Sequence, residues 1–232
     1  MGNEKKPVGP PPDNTRGEVA EGIARAAVSA VPVVGGPAAE LLGLVVDAPL
    51  HRRYRAWLER LAAVVDDLQA HGLDVRSLED NDAFITVLTN ATQAAGRTHD
   101  QEKLDALRNA IANSALPTAP QEHEQMMFVR FVDEFTGMHL RILALLRDPA
   151  GWFQSRGLVR PNLIMGSRTA VLEAGLPELQ GHSDTYMLAV NELAARGLEN
   201  GSVSGIVTEQ GLWQALTTQL GNRFLDFVSR PK

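Results

Sequence analysis

Between residues 54 and 147 apolar side chains return every three or four positions, the period of helices that each turn one face to a core. Tyr54, Trp57, Leu58, Leu61, Val64, Val65 and Leu68 predict one helix. Arg52, Arg53, Glu59, Arg60 and Asp66 lie on its other face, and His71-Gly72 supplies a stop. Phe84, Val87, Leu88, Ala91 and Ala95 predict a second helix. Leu104, Leu107, Ile111 and Ala115 predict a third, with Asp100 as its N-cap and Pro117 and Pro120 ending it. From Glu122 to Arg147 a single long helix is predicted. Its buried stripe is Phe128, Val132, Phe135, His139, Ile142 and Leu146, and Asp148-Pro149 closes it.

Proline and glycine divide the rest. Residues 1–16 carry Pro7, Pro10, Pro11 and Pro12 with little apolar content, which predicts a disordered tail. Residues 17–50 are rich in Ala, Val, Gly and Leu, and Pro32, Gly35-Gly36-Pro37 and Pro49 interrupt them. Two helices joined at 33–37 satisfy those breakers as an apolar hairpin. Residues 149–165 read as a connector. A short helix near 169–174 follows, then one that Ser183 caps and Gly197 ends, with Tyr186, Met187, Val190, Leu193 and Ala194 apolar. Residues 198–207 hold the strand and turn material, and a second strand over 213–216 would complete a hairpin. Thr217 or Thr218 then caps a last helix with Leu220, Phe224, Leu225 and Val228 inward. The fold class is mainly α. A helical bundle over 17–148 precedes a winged-helix-like module over 166–232 that contains one short β-hairpin.

Composition removes several classes of function. The 232-residue chain can bury a substantial core, and it has no cysteine, hence no disulfide framework, thiolate nucleophile or thiolate zinc site. The opening residues lack the apolar run of a secretory signal, and Lys6 stands where a myristoylation motif needs Ser or Thr, so an uncleaved cytoplasmic chain is expected. A net charge of −6 gives no general attraction for nucleic acid.

The candidate motifs reduce to structural features. His139 lies in an apolar stripe, and neither Asp133 nor Glu134 stands three or four residues away on the same face, so a buried, hydrogen-bonded histidine is expected rather than a metal ligand. Glu122, His123 and Glu124 open a helix where acids favour the positive dipole end. Gly201-Ser202-Val203-Ser204-Gly205 follows a helix instead of leading from strand into helix, so it is read as a turn and not a nucleophile elbow. Gly35-Gly36-Pro37 has no Gly-Lys-Ser/Thr after it and is no phosphate loop. No catalytic residue, metal, cofactor or small-molecule substrate is predicted. From 26 to 46 the one charge is Glu40, and His51, Arg52, Arg53, Tyr54, Arg55 and Trp57 follow. This order suits a packed hairpin, or an apolar hairpin with an interfacial anchor. Leu42, Val45, Arg52, Arg53, Arg55 and Trp57 are therefore the candidate membrane or partner contacts.

Leu216-Thr217-Thr218-Gln219-Leu220-Gly221-Asn222-Arg223-Phe224-Leu225 resembles the wing-to-helix junction of bacterial winged-helix proteins. Such modules suggest DNA, yet residues 160–232 hold six Lys plus Arg against seven Asp plus Glu, 6 − 7 = −1, and residues 183–197 have one basic residue, Arg196. Gly36-Pro37-Ala38-Ala39-Glu40-Leu41-Leu42-Gly43, the arginine-bearing helix from Arg52, and Thr217, Gly221 and Phe224-Leu225 are together similar to the abortive-infection alpha family of bacterial phage-defence proteins. The chain departs from that pattern in its proline tail and over 104–116. The resemblance implies host defence and supplies no catalytic residues. The leading expectation is a non-enzymatic defence or regulatory protein acting through a protein partner or self-association. The alternatives are a membrane-active effector that uses the hairpin after activation, and a DNA-binding transcription regulator.

Overall fold

The computed structural model describes residues 48–70 and 72–231, with side chains from His51 onward. The expected tail, the hairpin over 17–50, and Leu42 and Val45 lie outside the described residues. The chain divides into two compact units, 1–62 and 63–232. Helix α1, Ala48–Ala70, begins in the first and ends in the second.

Within the second unit, Val64 and Leu68 of α1 pack with Leu78, Ala112 and Ala115, and Leu73, Val75, Phe84 and Leu116 flank them. A 3-10 turn, Val75–Leu78, leads to α2, Asp82–Arg97, whose N-cap Asn81 accepts the Phe84 N–H. Helix α3, Gln101–Ser114, is the centre of the bundle. Asp100 caps it as the sequence predicts, accepting from the Glu102 and Lys103 N–H groups at 2.9 and 3.4 Å. Its alanines at 106, 110 and 112 are buried, so α2 on one side and the following helices on the other approach closely.

The long helix predicted over 122–147 is two helices, α4 (Glu122–Glu134) and α5 (Gly137–Arg147), separated by extended backbone at Phe135 and Thr136. Capping decides the break. The imidazole Nδ1 of His139 accepts the Thr136 backbone N–H at 3.2 Å, as the third helical residue of a capping box does. The Gly137 N–H donates to Asp100 Oδ2 at 3.0 Å, and a Cβ on Gly137 would stand 2.6 Å from both Asp100 Oδ2 and Glu102 Oε2, so a larger residue there would have to displace the capping carboxylate. All six predicted stripe residues are nevertheless buried, because two extended residues return the next helix to the same side of the core. Asp148 then caps α6, Pro149–Arg156, which occupies part of the expected connector.

The sheet also differs from expectation. Strand β1, Met165–Ser167, runs from the last residue of the expected connector into the expected module and pairs antiparallel with β2, Ile206–Thr208. The segments predicted to form a hairpin, 198–207 and 213–216, do not pair as one: a single bridge joins Glu199 to Thr217, one residue past the second segment, and Trp213 follows a short helix, α9 (Glu209–Leu212). A Met-Gly-Ser strand has no local signature, and its pairing is decided 40 residues downstream. Between the strands lie α7 (Arg168–Gly175), capped by Ser167, a 3-10 turn, Pro177–Leu179, and α8 (Ser183–Ala195). The N-cap of α8 is His182, without a side-chain bond, rather than Ser183.

The last helix, α10 (Gln219–Val228), is capped by Thr218 and built into the bundle against α3, α4 and α5. Phe224 and Phe227 enter a cluster with Phe128, Phe131 and Phe135 at centroid separations from 5.5 to 6.5 Å. Asn109 and Asn113 of α3 supply donors to its free carbonyls: Nδ2 of Asn109 bonds Val228 O at 3.0 Å, and that of Asn113 bonds Phe227 O and Ser229 O at 2.8 Å. Gly221 lies against the chain at Leu198, where a Cβ would come within 2.1 Å of the Leu198 carbonyl oxygen.

Phe135 touches Phe131, Phe224 and His139 at the α4–α5 break. Phe135→Ala is expected to lower unfolding stability by about 3–5 kcal/mol, read from denaturant titration, and a wild-type midpoint would show that the ring does not hold this junction.

Candidate contact surface

His139 joins three elements. Its Nδ1 lies 2.8 Å from the Thr136 hydroxyl, its Nε2 lies 2.7 Å from Glu192 Oε2 on α8, and its ring stacks on Phe135 at 5.0 Å with a 4° interplanar angle. A hydroxyl, an imidazole and a carboxylate in a row are the parts of a nucleophilic triad. Two features work against that chemistry. The Nδ1 lone pair that would take the hydroxyl proton already accepts the Thr136 backbone N–H, and the adjoining helix start faces the carboxylates of Asp100 and Glu102, which oppose a developing oxyanion. The arrangement binds α8 to the α4–α5 junction.

Other charged groups are likewise spent internally. Arg141 bridges Glu102 and Glu178, Arg97 pairs with Asp133, and Lys103 donates to Asp133 O, while burial lowers the Lys103 ammonium from its usual value against the pull of Asp133 and Asp100. Tyr186 donates to Glu173 at 2.7 Å, and burial with that carboxylate pushes the phenol up to about 12. Burial raises the Glu199 carboxyl too, against one backbone bond from Gly201. These perturbed groups sit on separate elements, each with its own partner. Among the described residues no group of three or more His, Asp or Glu could hold a metal ion.

The exposed face of α8 carries Asp184, Leu188, Asn191 and Glu192. The cation beyond its end, Arg196, is paired with Glu134. The face therefore offers phosphates no cation to offset its two carboxylates. Of the predicted contact residues, Arg52, Arg53 and Arg55 are exposed on α1. Trp57 is buried, at helical spacing from buried Leu61 and Val64. No helix among the described residues is long and apolar enough to cross a membrane.

Among the described residues the most exposed large apolar side chains are at the small sheet and the loop before it, with Leu188 on α8 and Ile85 on α2 exposed as well. Val159 is 90% exposed, Ile164 86%, Met165 64% and Ile206 76%. Met165 opposes Thr208 and Ser167 opposes Ile206, so Met165 and Ile206 rise diagonally from one face of the sheet. Ile164 is tied to the end of β2 by the Glu209 N–H at 2.9 Å. On α6 and in the loop that follows it, Arg156 lies 3.3 Å over the Trp152 ring and Arg160 5.0 Å over that of Trp213. Buried Arg168 pins the surrounding loops by donating to Ser202 O and Gly211 O at 3.0 and 3.1 Å. The sequence does hold a signal for this surface: residues 149–172 contain Arg156, Arg160 and Arg168 and no acid in a chain of net charge −6. Treating 149–165 as a connector hides it, since periodicity says nothing about a loop.

Comparison with known families, with characterised proteins and with solved structures finds no match to the chain.

Two outcomes are expected. Because burial raises the Glu199 carboxyl, the fold favours its neutral form. The stabilisation is present at low pH and lost as pH rises through the raised value. Glu199→Gln should therefore raise the melting temperature at pH 7, and the gain should shrink as pH falls towards 4. Equal melting temperatures at pH 7 would mean that the charge is not penalised. For DNA, titration with duplex at physiological salt should give only weak, sequence-independent binding, in the range of about 10⁻⁴–10⁻⁶ M or weaker; nanomolar affinity for one site would contradict the charge distribution of α8.

Proposed function

We propose that this protein works by contact rather than by turnover, with the C-terminal sheet and the loop before it as its working surface. The observation that carries the reading is the set of four aliphatic side chains at Val159, Ile164, Met165 and Ile206, each more than 60% exposed and gathered at one sheet and its preceding loop, whereas the other exposed large apolar residues among those described, Ile85 and Leu188, stand singly on separate helices. Solvent exposure of such groups is unfavourable, and covering them on encounter supplies binding free energy. Arg168 and the α7 cap hold that surface in place, so little ordering is needed when it is covered.

The separation of the perturbed titratable groups, each held by an internal partner, supports contact over catalysis. The acidic face of α8 weighs against the transcription-regulator alternative. Phage defence in a bacterial cytoplasm is the setting that the family resemblance suggests, and we propose it on that ground alone.

The test is photo-crosslinking in cells. A photoreactive amino acid at Ile206 should give a discrete adduct, and one at His182, exposed on the turn before α8, should not. A second substitution, Ile164→Glu, should abolish the Ile206 adduct while changing unfolding stability by no more than about 0.5 kcal/mol. Absence of any adduct at Ile206 would remove the contact reading.

A further inference from the structure

We infer that the tip formed by the 157–164 loop and the β1–β2 sheet is a docking site for an anionic lipid surface. The inference rests on the contact reading above and names the partner class. Shape is the first argument. Side chains exposed to 64–90% project from the molecule rather than line a groove, and projecting aliphatics are covered most simply by a medium that deforms around them. Val, Ile and Met carry no polar group that would need a partner on entering the acyl boundary.

Charge is the second. Arg156 and Arg160 are exposed, no acid occurs from 149 to 172, and both guanidinium groups rest on indole rings. An exposed arginine stacked on a tryptophan ring can turn its guanidinium to the headgroup layer while the ring beneath stays in the protein, as Trp152 does. The carboxylate of the tip is Glu209, beside Ile164. At physiological salt the screening length is about 8 Å, so a bilayer meeting the tip responds to these groups and not to the whole chain's −6. Two cations near an anionic surface favour it over a neutral one by on the order of tenfold to thirtyfold. A protein groove would instead be read by aromatic or polar side chains at the centre of the contact, and the tip has aliphatics there.

The experiment is co-sedimentation of the full chain with phosphatidylcholine vesicles, with and without phosphatidylglycerol. Wild type should pellet with the anionic vesicles at least about tenfold more strongly than with neutral ones, and added salt should reduce the difference. Ile164→Glu with Ile206→Glu should lose binding to both, Arg156→Gln with Arg160→Gln should lose the anionic preference alone, and Glu209→Gln should strengthen it. Circular dichroism confirms folding of each variant. Leu42→Glu should bind like wild type; if it loses binding while the sheet variants keep theirs, the apolar segment upstream is responsible and the inference falls. It also falls if wild type ignores both vesicles. In that case an Ile206 photo-adduct to protein or nucleic acid would preserve the contact reading with a different partner, and no adduct would remove both.

Discussion

The seating of the last helix in the bundle is the constraint on which the second unit depends. Helix α10 arrives more than a hundred residues after α3, and its carbonyl end would be an exposed set of unpaired acceptors without Asn109 and Asn113. The orientation of Asn109 is itself fixed, because its Oδ1 accepts from the Arg108 guanidinium at 2.8 Å and leaves the amide to donate. With the helix end held, Phe224 and Phe227 reach Phe128, Phe131 and Phe135, and one aromatic cluster serves the middle and the end of the chain. Replacing Asn113 by an apolar residue would take the donor from Phe227 O and Ser229 O together.

The same junction explains the break between α4 and α5. His139 takes part in the cap, stacks on Phe135 and reaches Glu192, so the residue that ends one helical run also ties down α8. Buried polar groups here are linked in short chains of partners. That arrangement holds one packing of the helices around the junction.

The tip of the small sheet is built the other way. Arg168 fixes the loops from inside through backbone carbonyls, while the aliphatics outside face water. Rigid support beneath an exposed apolar edge separates stability from binding: the outward side chains contribute little to the fold and are free to serve an encounter.

Much of the helical architecture was legible in the sequence, because an amphipathic period is a local property. The faces of α1, α2, α3 and α10, the caps at Asp100 and Thr218, and the burial of His139 all follow from spacing and side-chain chemistry within a few residues. The break at Phe135-Thr136 was locally encoded as well, in a threonine three residues before a side chain that can accept its N–H, but the apolar stripe runs through it and masks it. What the sequence could not specify is whatever depends on a distant partner. Strand β1 is a strand only because Ile206–Thr208 lies beside it, and His139 is tethered by a residue 53 positions away. The contact tip belongs to this second class: Arg, Val, Ile and Met in a loop are compatible with core or surface, and tertiary pairing alone turned them outward. Short-range periodicity carries the free energy of helix faces, whereas the direction a loop presents is set by long-range pairings that no local window contains.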